Sequence, residues 1–298
     1  MNMTPTQAMI RPVVRGVYQI QKLRIAIGLR IVSAWKVKNG QVQSTTEIEL
    51  NKEALDLLQK IREEYTRITD SIAKDLPSKS QFNRMSGMEL IDNYAELVLI
   101  HSYFELELNE KNHFKRLKAS LEGIPIYDNY LSKIAGVGTA MAGIIISEID
   151  IAKATYVSSI WKYLGLDVVE SDNRGRGRHE EHLVPKTYIN RKGEEVHTRG
   201  LSHNGWAKSK LVYVLGGSFI RVGNERYRKI YDDYKHRLVN HPKHKDKTDG
   251  HRHSMARRYM VKQFFADLYV VWRELEGCEV HPPFHESKLG MVHLKKVV

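Results

Sequence analysis

The chain has 298 residues, 42% hydrophobic and 28% charged, a composition that supports a sizeable core and argues against wholesale disorder. The charge-free stretch at residues 134–147 is shorter than the roughly 18 apolar residues of a membrane span, and the N-terminal MNMTPTQAMIRPVVRG lacks a secretory pattern. The lone Cys278 excludes an internal disulfide framework and a cysteine-rich zinc site, so a cytoplasmic location is the expectation. Lys plus Arg outnumber Asp plus Glu by 47 to 35, and the whole +12 excess lies in residues 171–262, where 22 basic residues face 10 acidic ones. Such a block is the footprint of a polyanion partner, the alternative being a basic surface kept for solubility.

In chain order, Val17, Ile20, Leu23, Ile27, Ile31 and Trp35 recur at spacings of three and four, which predicts one helix stopped by Asn39-Gly40. Arg15, Lys22, Arg24 and Arg30 lie off that stripe. Ala54, Leu58, Ile61, Tyr65, Ile68 and Ile72 then step by alternating fours and threes, a heptad-like seam on a long helix. After Pro77 and a polar turn, Ile91, Tyr94, Leu97, Val98, His101, Phe104 and Leu108 predict a second helix that continues to a break at Gly123 and Pro125. The two make a long antiparallel helical hairpin whose seam must pack on another element or a second copy of the chain.

From Tyr127 the helices shorten and glycine and basic residues increase. LVPKTYINRKGEEVHTRG predicts a small β-hairpin turning at Arg191-Lys192-Gly193. Helices follow at about 205–220, 224–240 and 254–275, and the tail from Cys278 reads as coil. The expected fold is mainly α: a basic helical segment at 1–46, a coiled-coil hairpin at 47–125, and a globular α-helical domain at 126–298 carrying the inserted β-hairpin.

Several motifs bear on chemistry. In IAGVGTAMAGIIISEID the Gly136-x-Gly138 pair is not preceded by an apolar strand, which argues against a dinucleotide fold. It reads equally as a helix-hairpin-helix turn that holds a phosphate or as a tight turn with close packing. Arg174, Arg176, Arg178 and His179 lie in a Gly-rich basic loop suited to phosphate oxygens. Arg252, His253, Arg257, Arg258 and Lys262 read as cations at the start of a helix. There the dipole disfavours each by about 0.3–1 kcal/mol, so an arriving anion would relieve them. Lys208 and Lys210, after a cap at Ser202 or Asn204, repeat the arrangement. The histidines from His236 to His253 are interleaved with Lys and Arg and read against a metal site. The adjacent pairs Asp232-Asp233 and Glu180-Glu181 point in different directions, so no catalytic or metal-binding constellation is expected, and no cofactor.

The order of these elements, with YLSKIAGVGTAMAGIIISEIDIAKATYVSSIWKYLGLD, then SHNGWAKSKLVYVLGGSFIR and a basic last helix, resembles the Nop domain of box C/D snoRNP core proteins. LSKIAGVGTAMAGIIISEID with SSIWKYLGL also resembles the C-terminal domain of bridge-RNA-guided transposases. QAMIRPVVRGVYQIQKLRIAIGLRI and HRHSMARRYMVKQFFADLYVVW resemble the TIGR-associated (Tas) family of RNA-guided DNA-binding proteins, in its form without a nuclease. The resemblance implies a guide RNA held by Arg174, Arg176, Arg178, His179, Lys208, Lys210, Arg252, His253, Arg257, Arg258 and Lys262, and a homodimer through the helical hairpin. The remaining cations Arg11, Arg15, Lys22, Arg24 and Arg30 are assigned to target DNA. The expected function is a ribonucleoprotein that binds complementary DNA without cutting it. The rivals are an RNA scaffold with no DNA target and a transposase-related protein working with a catalytic partner.

Overall fold

The computed structural model describes residues 3–41, 49–70, 76–169 and 174–282. It is mainly helical, with long antiparallel helix pairing and a small β-hairpin, besides one two-residue strand pair, inserted among the helices. The chain forms two compact units, Arg15–Arg116 and Met1–Val14 with Leu117–Val298. α1 (Pro5–Lys38) is a single 34-residue helix whose first turns belong to one unit and whose remainder belongs to the other.

In the Arg15–Arg116 unit, α1 is joined by α2 (Lys52–Asp70), the single turn α3 (Lys79–Phe82) and most of α4 (Tyr94–Leu121). Antiparallel pairing of α1 with α4 is fixed from end to end. Gln21 donates to Glu110 at 2.8 Å, Arg24 pairs with Glu110, and Lys38 pairs with Asp92. Gly28 is required midway, because a Cβ there would lie 2.9 Å from the Tyr103 ring. On the other side, Arg62 of α2 pairs with Glu107 at 2.8 Å and Tyr65 hydrogen-bonds His101 at 2.7 Å.

The heptad-like seam at Ala54, Leu58, Ile61 and Ile68 is buried in this unit's own core with Ile31, Val32, Leu97, Ile100 and Tyr103. Ile72 lies outside the described residues. Three helices rather than two therefore share the apolar surface, and the seam needs no second chain to cover it. The third helix also shifts the buried faces. Val98, Leu108 and Leu23 stay exposed, whereas Ile100, Tyr103 and Val32 are buried. Gly40, at φ 69°, ends α1 as its sequence indicates.

The other unit is built on α5 (Pro125–Asn129), α6 (Thr139–Glu148), α7 (Val157–Tyr163), α8 (Gly205–Lys208), α9 (Leu215–Val222), α10 (Glu225–Asn240) and α11 (Asp249–Leu275). A π-helical turn, Ser209–Val214, joins α8 to α9. Every residue of α6 from Met141 to Glu148 is buried. Gly143 brings that helix against Val14 and Leu117, where a Cβ would meet Val14 at 2.9 Å. The third glycine of the motif is thus a packing residue. Gly136, at φ 99° and close under Phe219, makes the turn before α6.

The core of this unit includes Leu211, Leu215, Phe219, Val261, Phe264, Phe265 and Leu268, all fully buried; each such side chain contributes about 1.5–3 kcal/mol. α10 and α11 pack antiparallel, with Arg226 forked onto Asp267 at 2.8 and 2.9 Å. Tyr227 also donates to Asp267, and Tyr231 hydrogen-bonds His253 at 2.6 Å. The short strands β1 (Val168–Val169) and β2 (Arg174–Gly175) pair antiparallel, as do β3 (Leu183–Ile189) and β4 (Glu195–Leu201), which form the expected hairpin. Among the described residues, no helix is long and apolar enough to cross a membrane.

Candidate nucleic-acid interface

α11 starts earlier than its sequence pattern suggests. Thr248 is the N-cap, its hydroxyl accepting from His251 N, and Asp249 stands at the positive end of the helix, where an acid is favoured. The expectation of a crowded helix start holds for Arg252 and His253, within the first two turns, and is corrected for Arg257, Arg258 and Lys262. The cap signal Thr-Asp sits inside the polar tract, five residues before Ser254, so Arg257, Arg258 and Lys262 lie beyond the first two turns. The dipole does not reach them.

Four cations instead meet in space. Residue 176 follows β2, and Arg176 pairs with Asp167 at 2.8 Å while donating to Ser202 Oγ at 3.1 Å. Lys208 is carried on the turn capped by Asn204, whose side chain accepts from Ala207 N. Only 8% exposed, its ammonium donates to the Arg176 carbonyl at 2.6 Å. Arg258 reaches across from α11 to donate to the Gly165 carbonyl at 3.0 Å, and its guanidinium fills the space beside Gly175. Lys262 lies over the Trp161 ring at 4.7 Å, and Trp161 Nε1 donates to the Lys262 carbonyl.

The one carboxylate acting on these groups, among the described residues, is Asp167. Four cations and one acid, half-buried together, strain one another. Burial and the charge of Arg258 push Lys208 down to about 8. Lys262 is lowered by burial and then by Arg258, and Arg258 by its own burial. His203, 9% exposed with its ring against Gly165, is pushed down to about 4 by burial and by Lys208. Its Nδ1 has no hydrogen-bond partner, nor do Asp167 Oδ1 and Arg257 Nε. Positive charge in excess of the one carboxylate, with the Arg257 Nε donor unpaired, is an arrangement that can take an anion, whereas the unpaired Asp167 Oδ1 can take only a donor.

Other expected contacts sit elsewhere. Arg178 and His179 are exposed in the loop beyond the cluster, and the Arg174 backbone is in β2. His253 is held by Tyr231, and Arg252 turns back to the carbonyls of His244 and Lys245 at 3.5 Å. Arg257 stacks on Tyr213 at 4.6 Å, and Lys210 is half-buried. Of the cations assigned to DNA, Arg11 pairs with Glu148 at 3.1 Å and Arg24 with Glu110. Arg15 is half-buried, whereas Lys22 and Arg30 are exposed.

Glu148 is the organising acid behind the cluster. Its Oε2 accepts from Arg11, from Tyr163 at 3.1 Å and from Asn204 at 2.9 Å, which fixes the turn that presents Lys208. Sequence reasoning missed Asp167, His203, Glu148 and Trp161 as members of this neighbourhood. They stand singly in their segments, and only Gly165, at φ 61° beneath His203, marks the bend that gathers them. Among the described residues, no group of three or more His, Cys, Asp or Glu is placed to hold a metal ion.

The His203 shift has a sign. The buried imidazole stays neutral down to about pH 4, while in the unfolded chain it takes up a proton below about 6.5. Its contribution is therefore fully present above 6.5 and is lost as pH falls toward 4. Denaturant unfolding of the RNA-free protein should lose about 2 kcal/mol more between pH 7 and pH 4 than His203→Gln loses. Parallel profiles for the two proteins would refute this assignment.

No protein-family model matches the chain, and no curated protein or solved structure does so either.

Proposed function

We propose that this chain is an RNA-binding protein of the Nop-like, Tas-type kind, which forms a guide-RNA ribonucleoprotein and binds complementary DNA without cutting it. The observation that carries the reading is the cluster of Arg176, Lys208, Arg258 and Lys262 around one carboxylate. A protein that only needed a soluble basic surface would leave such cations extended in water. Here they are desolvated, two of them laid on backbone carbonyls, in fixed positions that suit phosphate oxygens of a folded strand. The resemblance in residue order supplies the identity of that strand as a guide RNA. Glu148 is enclosed by Arg11, Tyr163 and Asn204, and Asp232 is engaged by Arg228 at 2.7 Å, which supports a binding rather than a cleaving role.

The RNA scaffold without a DNA target is the second reading, favoured by one observation. Arg11 and Arg24, two of the five cations assigned to DNA, are committed to Glu148 and Glu110. Lys22 and Arg30 remain as the exposed candidates on α1. The deciding experiment is to sequence the RNA that copurifies with the protein, then exchange its unpaired portion. The proposal expects DNA capture to move to the new complement with the protein unchanged and no cleavage in Mg²⁺. RNA binding with no DNA capture leaves the scaffold. Equal DNA binding without RNA, or cleavage that survives removal of contaminants, overturns the proposal.

A further inference from the structure

We infer that Tyr213 is a stacking platform for an unpaired nucleobase whose flanking phosphates rest on the adjoining cation cluster. The inference rests on the proposed nucleic-acid reading and says which part of the polymer sits there: a single-stranded segment, not a helix. Tyr213 is 43% exposed, a large share for an aromatic side chain beside so much charge. One face of its ring is held by the Arg257 guanidinium at 4.6 Å. Arg258 is close enough for the two to interact electrostatically. The ring is thus backed and flanked by guanidiniums that leave part of it open, the arrangement in which an aromatic accepts a base while cations take the backbone.

The local backbone supplies the second argument. Tyr213 stands in the π-helical turn Ser209–Val214, which follows directly on Lys208. In an α-helix, residues five apart point about 140° away from each other. The wider π turn closes hydrogen bonds between residues five apart, so positions 208 and 213 are brought toward one face. Such a turn replaces good α-helical bonding at some expense and is frequent at functional sites. Here it carries an exposed ring in the turn that follows the buried Lys208. Base-paired nucleic acid keeps its bases stacked inside the duplex, whereas a single strand offers a free face for every base.

The test uses the full chain freed of copurifying RNA, at about 50 mM salt. Its probes are a uridine RNA decamer, the deoxyuridine decamer, and an RNA decamer of equal length made abasic, with the same phosphates. The uridine decamer is expected to bind about tenfold or more tightly than the abasic one. Tyr213→Ala and Tyr213→Leu should each bring the uridine decamer down to the abasic level without changing abasic binding, while Tyr213→Trp retains the difference. Leu keeps apolar bulk over Arg257, so a folding defect in the Ala variant does not remove the test. Whichever of the RNA and DNA decamers binds more tightly names the source of the strand. Equal binding of uridine and abasic decamers, unaltered in the variants, overturns the stacking inference and leaves the phosphate seat standing. If neither decamer binds, the nucleic-acid reading fails along with it.

Discussion

Replacing Lys208 with Met, together with Arg258→Gln and Lys262→Met, is expected to weaken RNA binding on the order of 10²–10³-fold near 100 mM salt. Wild-type affinity should fall roughly 10³-fold or more between 50 and 200 mM, and the triple variant should shed about two units of that log–log slope, since each lost phosphate contact removes about 0.7–0.9. The same change should leave the RNA-free fold as stable as before or more so. Lys208 alone makes the point. Its ammonium is pushed down to about 8 by burial and by Arg258. Below that pH the folded protein carries a charge it disfavours. Between about 8 and 10.5 the folded protein releases a proton that the unfolded chain keeps, so stability rises with pH across that window.

Lys208→Met should therefore gain about 1–2 kcal/mol at pH 7, less than the full shift because the bond to the Arg176 carbonyl is lost. It should also show no rise toward pH 10. Denaturant unfolding at pH 7 and pH 9.5, beside filter-binding across salt, measures both. A variant less stable than wild type at pH 7, yet with unchanged RNA affinity, would make Lys208 a structural residue.

The second large effect belongs to the other unit. Glu64, 3% exposed, accepts from the backbone nitrogens of Glu89 at 3.0 Å, Leu90 at 3.0 Å and Ile91 at 2.8 Å. It closes the irregular segment that leads into α4. Glu64→Ala leaves three backbone donors without an acceptor, and the expected destabilisation is about 3–5 kcal/mol. Glu64→Gln keeps one carbonyl acceptor and should fall about midway. Unfolding of the full chain by urea, followed by a probe in this unit, distinguishes the two variants. Equal stabilities for Glu64→Ala and wild type would mean that water satisfies those nitrogens.

Where the sequence carried a period or a cap, it was legible. The stripe of α1, the seam of α2, the ribbon around Arg191-Lys192-Gly193 and the stop at Asn39-Gly40 all follow from spacing and turn chemistry. The start of α11 was misread because Thr248 and Asp249 lie among lysines and histidines, where the apolar period has not yet begun. The cluster was legible only as a membership. Arg176, Lys208, Arg258 and Lys262 were singled out by charge, but their meeting depends on Arg258 crossing 93 residues to Gly165. Asp167 and His203 have no local pattern at all. Glu64 was hidden for a related reason: inside a charged helix face it looks like any exposed glutamate, and its buried role is set by a loop 25 residues later.

The β3–β4 ribbon has a consequence for how molecules of this chain meet one another. A two-stranded sheet offers two raw edges, each a template on which a neighbouring strand can add. This one blunts the edge along β3. Pro185 on β3 has no N–H to offer, and Lys186 follows it. From β4, Arg199 folds its guanidinium back onto the Leu183 carbonyl of β3 at 3.0 Å, occupying an acceptor that a strand coming in along β3 would use. At the tip, the Asn190 side chain takes the nitrogens of Lys192 and Glu194, so the turn is closed as well. Two such ribbons meeting along β3 find little to hydrogen-bond there, so a strand that adds to this arm would come in along β4.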